Sequence, residues 1–131
     1  MIPTDKTDLG SRVLRGDDSL LDLQTLAGLQ LLDKDLLPKL IDSFDTDTRI
    51  ELAQLRDAVA RQDNNAIHQS AHSVTGVCGA LGAMSLFELC KEVKTAAGEG
   101  TEFDFQEKLE HIESIYAQTL EAMQKFLSFS P

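Results

Sequence analysis

The side chains best suited to chemistry in this sequence are two histidines four residues apart, His68 and His72. A free imidazole has a pKa of about 6.5, so much of it is unprotonated near neutral pH and able to act as a nucleophile. Two histidines at this spacing also share one face of a helix, where they could hold a metal ion together. The surrounding residues favour the first of these two chemistries.

Three glycines follow His72, at positions 76, 79 and 82, inside or at the end of a predicted helix. A glycine inside a helix costs roughly 1 kcal/mol relative to alanine, so something must require small residues here. On a helical wheel with about 100° per residue, the residues within about 60° of His72 are Asn65, His68, Gln69, Thr75, Gly76, Gly79 and Ala83. Because the opposite side is aliphatic, we expect His72 to project into solvent over a patch with few side chains.

This open patch predicts that a second macromolecule brings its own active site to the imidazole. The sequence has no P-loop, no GxGxxG motif, and no acidic metal cluster or oxyanion donor set to accompany the histidine. A third metal ligand near His68 and His72 is also missing, since His111 falls on another predicted helix. We therefore expect no bound metal, and we place His68 at the polar rim of a docking surface.

The elements that position His72 are all predicted to be helices. Every strong hydrophobic period is helical, and no alternating run of β-branched residues predicts a strand. Helices are expected over residues 20–32, 36–61, 65–81 and 84–97, followed by a last helix that Thr101 or Asp104 caps. This pattern predicts an all-α fold, an up-and-down antiparallel four-helix bundle with a short additional N-terminal helix. Residues 1–19 are predicted to be a flexible arm, and residues 20–131 the bundle domain.

Composition narrows the possible functions. The chain has 131 residues, 42% hydrophobic and 26% charged, which suits a single globular domain. With 12 basic and 22 acidic residues its net charge is -10, so a protein partner is expected rather than a nucleic acid. No segment has the length of a signal-peptide core or of a membrane span. The sequence therefore predicts a cytoplasmic protein in which Cys78 and Cys90 are free, buried thiols.

The segment around His72 resembles the signature of the histidine-containing phosphotransfer (HPt) domain of bacterial multistep phosphorelays. The residues that carry this resemblance are Ala71, His72, Val74, Gly76, Gly79, Gly82, Leu86, Leu89 and Cys90. The resemblance extends over roughly residues 20–127. It implies that His72 accepts a phosphoryl group from the receiver-domain aspartate of a hybrid sensor kinase and passes it to the receiver of a response regulator. It further implies a monomeric, non-catalytic carrier without a cofactor, because in that family the receiver brings the Mg²⁺ and the catalytic groups.

Two positions depart from the family pattern. The family usually has lysine three residues after the histidine, in an HxLKG pattern, whereas this chain has Thr75. The position 22 residues after the histidine is commonly Glu or Gln, and here it is Lys94. Either Lys94 or Lys91 supplies the missing charge, or transfer is slower or uses other partners. The residues expected to support the phosphoryl group or docking are Gln69, Thr75, Gly76, Gly79, Lys94 and His68.

Two other classes of function compete with the phosphotransfer hypothesis. The first is the phosphoacceptor segment of a sensor kinase, but His72 is followed by Ser73 rather than by an acidic residue, and the chain has no room for a nucleotide-binding domain. The second is an HPt-like adaptor that binds a receiver without transferring phosphate, which Thr75 makes plausible. All of these hypotheses except the adaptor require the imidazole of His72 to be accessible from outside.

Overall fold

A computed structural model describes residues 20–129 of the chain, and this part of the chain is helical throughout without a strand. Its five helices are α1 (Leu23–Leu32), α2 (Leu36–Arg61), α3 (Asn64–Leu81), α4 (Met84–Glu99) and α5 (Phe105–Ser128). The prediction of an all-α fold is therefore confirmed. The predicted arm, residues 1–19, lies outside the described residues.

The helix boundaries follow from local capping chemistry. Asp63 begins α3, because its carboxylate accepts a hydrogen bond of 3.1 Å from the amide of Ala66. Asp104, rather than the alternative Thr101, begins α5 by accepting from the amide of Glu107 at 3.0 Å. The bounds predicted for α2 agree with the structure, whereas α1 begins three residues later than expected, at Leu23.

The helix α4 extends two residues beyond its predicted end. Residues 98–100, Gly98-Glu-Gly100, were predicted to end the helix and form the loop; Gly98 and Glu99 lie inside the helix, which ends before Gly100, where φ is +68°. A left-handed residue after the last turn is the usual way to end a helix, and glycine adopts it without a steric cost. The predicted end of the helix is two residues early because the sequence does not show which of the two glycines takes the left-handed conformation.

The four long helices contact one another in a closed order. Helix α2 packs against α3 and α5, and α4 also packs against α3 and α5, while α1 packs against α2. Each long helix turns an apolar stripe toward the shared core, as the sequence predicts. The largest fully buried side chains of the core are Phe44, Leu21, Leu26, Leu37, Leu55, Ile67, Leu86, Leu109, Ile112, Met123, Val74 and Val93.

The segment that precedes α1 fixes the turn between α3 and α4. Leu21 forms an isolated antiparallel bridge with Ala83, and the amide of Asp22 donates to the carbonyl of Gly82 at 2.7 Å. Gly82 itself ends α3 with φ of +74°. These contacts fix the C-terminal end of α3, the helix that carries His72. None of the helices in residues 20–129 combines the length and the apolar character needed to cross a membrane.

Candidate functional site

Helix α3 differs from the other three long helices in its charge. Its 18 residues include no Asp, Glu, Lys or Arg, although 26% of the whole chain is charged. Its cap at Asp63 lies just outside, where the bond from the Ala66 amide holds the pKa of that carboxyl below its ordinary value. Because carboxylates would repel an incoming phosphoryl group, an uncharged helix gives such a group an approach without that repulsion.

His72 lies on the exposed face of α3, as the wheel predicts. The opposite side of the helix is buried, and its buried residues are Ile67, Ser70, Ala71, Val74, Thr75, Cys78 and Leu81. The side chain of His72 is thus outside the core, and the accessibility that the phosphotransfer hypothesis requires is met. Gln69 and Ser73, also exposed, line a groove between α2 and α3 on one side of the histidine.

The C-terminal flank of His72 is open. A Cβ atom added at Gly76 would meet no heavy atom within 4 Å, and one added at Gly79 would only reach the ring of Phe87 at 4.0 Å. Neither glycine is therefore required for close packing of one helix against another. The expectation of a surface nearly free of side chains beside the imidazole agrees with this geometry.

The N-terminal flank of His72 is closed by His68. Its ring is parallel to the ring of His72, with an angle of 2° between the planes and 6.4 Å between the centroids. His68 is half-buried, and its Nδ1 lies 3.0 Å from the carbonyl oxygen of Lys94 on α4. A Cβ atom at Gly98 would lie 3.1 Å from that Nδ1. The ring of His68 therefore lies between α3 and α4 and is partly covered, while its place at the polar rim of a docking surface stays a prediction.

Thr75 occupies a different place from the one the sequence predicts. The wheel puts it 60° from His72 on the exposed face, but its side chain is only 5% exposed. Its hydroxyl donates to the carbonyl oxygen of His72 at 2.6 Å, a bond that threonine commonly makes to the preceding turn of a helix. The predicted placement of Thr75 is wrong because packing covers the edge of the face. Its hydroxyl is buried and engaged, and does not reach the open patch.

Two further residues, Ala83 and Lys94, were predicted to lie near His72, and the structure places them differently from each other. Ala83 is fully buried and lies beyond the end of α3, so it is not part of the patch. Lys94 lies on α4, as expected, and is half-buried; the contact that joins it to the site is through its backbone carbonyl to His68. The carbonyl of Lys94 could not be inferred from sequence, since a backbone group leaves no trace in residue type.

The described residues hold no group of three His, Cys, Asp or Glu side chains that could bind a metal ion. Cys78 and Cys90 are free and buried, as predicted. Burial raises the pKa of Cys90 to about 12, and burial, followed by the nearby Cys90, also raises the pKa of Cys78. Since the thiolate is the nucleophilic and metal-binding form of cysteine, both thiols are unreactive near neutral pH. Neither buried thiol therefore competes with the exposed imidazole of His72 as a nucleophile near neutral pH.

An exposed histidine on an uncharged helix of an all-α domain, with an open glycine flank, agrees with the sequence resemblance to the phosphotransfer family. Comparison with known proteins agrees: the family model described as the Hpt domain matches residues 39–125. The chain belongs to this family of histidine phosphotransfer proteins.

A solved structure gives the same result over a longer part of the chain. The chain is similar to histidine-containing phosphotransfer protein B (HptB) from Pseudomonas aeruginosa PAO1, with 28% sequence identity and a TM-score of 0.79. The match covers 86% of this chain and 97% of the other. No curated protein matches the chain in sequence. Membership of the family confirms the resemblance on which the phosphotransfer hypothesis rests.

Proposed function

We propose that His72 is the phosphoacceptor of this protein. It takes a phosphoryl group from the receiver-domain aspartate of a hybrid sensor kinase and passes it to the receiver of a response regulator. The observation that carries the proposal is the exposure of the imidazole on a helix whose C-terminal flank is open at Gly76 and Gly79. Membership of the Hpt family supports the same assignment.

The proposed reaction exchanges one phosphorus bond for another. A ring nitrogen of His72 attacks the phosphorus of the aspartyl phosphate; the N–P bond forms, the acyl O–P bond breaks, and the carboxylate leaves with the electron pair. The reverse sequence delivers the phosphoryl group to the second receiver. This chain contributes the nucleophile and the docking surface and acts as a carrier rather than a catalyst, without a cofactor of its own. Mg²⁺ and the groups that stabilise the transition state belong to the receiver.

The same proposal includes the arrangement around the site. We infer that α2 to α5 run alternately up and down as an antiparallel four-helix bundle, which their closed order of contacts supports.

The proposal also includes the expectations that the protein is cytoplasmic, that it is a monomer and that it binds no nucleic acid. The net charge of -10 supports the last of these expectations. Gln69, Gly76 and Gly79 are proposed to contact the receiver, and the side chain of Lys94 to assist the phosphoryl group.

The experiment is transfer of labelled phosphate from a phosphorylated receiver domain to wild type and to His72→Gln. We expect acid-labile labelling of wild type and only background labelling of the variant. The free energy of unfolding of the variant should differ from that of wild type by less than about 0.5 kcal/mol, since exposed substitutions away from the core have small effects on stability. Labelling of the His72→Gln protein would show that the phosphoacceptor is a residue other than His72.

The alternative is an HPt-like adaptor that binds a receiver but takes no phosphate. It is favoured by Thr75, which stands where the family usually has lysine and whose hydroxyl is buried. Binding of the receiver without any labelling of wild type would establish the adaptor. ATP-dependent self-labelling would instead support the sensor-kinase hypothesis.

A further inference from the structure

His68 has more structure built around it than an ordinary polar surface residue. It lies one helical turn before His72 with its ring parallel to it, and Gly98 on the neighbouring helix leaves the space that its ring fills. Alanine at position 98 would place a Cβ atom 3.1 Å from Nδ1 and 3.4 Å from Cε1 of the ring. Two helices thus contribute to holding one imidazole beside another.

The contact with Lys94 fixes which nitrogen of His68 carries the proton. A carbonyl oxygen can only accept a hydrogen bond, so Nδ1, at 3.0 Å from it, must be the donor. In the neutral ring Nε2 then holds the lone pair, and no hydrogen bond joins it to another residue in the described part of the chain. If Nε2 takes a proton from solvent, the bond from Nδ1 to the carbonyl is kept and strengthened. The anchored ring can therefore change from neutral to cationic without losing its position.

We propose that His68 is a positioning residue for the phosphoryl group on His72; this inference rests on the proposed function of His72. When the phosphoryl group is present, Nε2 of His68 takes up a proton and its positive charge attracts the phosphoryl oxygens. When the group leaves, the proton returns to solvent. Helix α3 offers the phosphoryl group no other positive side chain, because it has neither lysine nor arginine. His68 forms no bond to phosphorus in this scheme.

Three variants separate this role from a purely structural one. His68→Asn keeps a side-chain donor for the Lys94 carbonyl but cannot become cationic. His68→Lys has the charge but lacks the ring that fills the space at Gly98. His111→Asn is the matched control, because His111 is exposed on α5 and takes no part in the site.

The measurement is the equilibrium partition of label between His72 and the receiver aspartate, made on protein that gel filtration and thermal unfolding show to be folded. We expect His68→Asn to shift the partition toward the receiver by about fivefold, because one favourable charge interaction is lost. The partition ratios of His68→Lys and of His111→Asn should each lie within about twofold of the wild-type ratio. The ³¹P chemical shift of the phosphohistidine should move in His68→Asn and stay in His111→Asn.

The opposite order would overturn the inference. If His68→Asn partitions like wild type while His68→Lys is impaired, the residue only links α3 to α4. Equal partition in all labelled proteins would overturn the inference and leave the proposed function intact. A wild-type chain that takes no label at all would overturn the proposed function, and this inference with it.

Discussion

The two flanks of His72 on α3 differ in what surrounds them. On the N-terminal side, the ring of His68 is enclosed by α4 through the Lys94 carbonyl and Gly98. On the C-terminal side, a Cβ atom added at Gly76 would meet no other part of the protein within 4 Å, and one added at Gly79 would reach only the ring of Phe87. Glycine thus has two uses in this domain. In one it makes room for a side chain of the protein, and in the other it leaves room for a partner.

This difference gives the imidazole one fixed side and one accessible side. Under the proposed function, a fixed neighbour would reduce the number of arrangements that a phosphoryl group on His72 can adopt, and an accessible side would allow a receiver to approach. A glycine that the backbone conformation requires should affect stability when it is changed, the glycine that makes room for His68 should affect that ring, and glycines that leave the surface open should affect binding. Substitutions at four glycines test this division.

The largest effect on stability is expected at Gly82, the glycine that is required by the backbone. Gly82→Ala places a Cβ atom 3.1 Å from Asp22 and from Thr25, at a residue whose φ is +74°. We expect a loss of about 2 kcal/mol in the free energy of unfolding, because alanine is strained in this conformation and crowded as well. Chemical denaturation monitored by circular dichroism measures this free energy of unfolding.

Gly76→Ala is the matched control for this substitution. It introduces the same methyl group into open space, so it should raise the stability by about 0.5–1 kcal/mol through helix propensity alone. If both alanine variants change the free energy of unfolding by the same amount, the division between a glycine required by the backbone and a glycine in open space does not hold.

The second effect is on binding and is expected at Gly79. Gly79→Leu should weaken the affinity for a receiver domain by about tenfold, which corresponds to about 1.4 kcal/mol, because the side chain occupies the space needed by the partner. The free energy of unfolding should change less than this. Calorimetric titration with the receiver measures the affinity, and chemical denaturation of the same protein measures the free energy of unfolding. A sharp fall in stability with unchanged affinity would mean that this glycine serves helix packing.

The smallest effect on stability is expected at Gly98. Gly98→Ala gains helix propensity but crowds the His68 ring, and we expect the two to cancel within about 0.5 kcal/mol. The ring should be displaced and its bond to the Lys94 carbonyl weakened. Nitrogen chemical shifts of His68 report the tautomer directly, and the proton should no longer be confined to Nδ1. Unchanged shifts would show that the ring does not depend on this glycine.

Much of the fold could be predicted from the sequence, because the signals are local. The period of apolar residues places four helices, and the carboxylates of Asp63 and Asp104 mark where two of them begin. The exposure of His72 follows from the aliphatic side of its own helix. Such features depend on neighbours along the chain, which a sequence displays.

The parts that could not be predicted depend on contacts between helices. Thr75 lies on the edge of the exposed face, and only the packing of neighbouring elements decides that it is buried. His68 shares a face with His72 in the sequence pattern, yet a backbone carbonyl and a missing Cβ on α4 enclose it. A backbone carbonyl has no residue type of its own, and the sequence shows that residue 98 is glycine but not which side chain lies against it. The contacts around His68 could therefore not be predicted.

The most direct test is to locate the phosphoryl group itself after transfer. A phosphorylated receiver domain is incubated with the wild-type chain, and the product is digested at neutral or basic pH and mapped by mass spectrometry. We predict one modified residue, His72, with the peptides that contain His111 unmodified and with no phosphoryl group on His68. A phosphoryl group found on either of those histidines in place of His72 would contradict the assignment of the exposed imidazole as the acceptor.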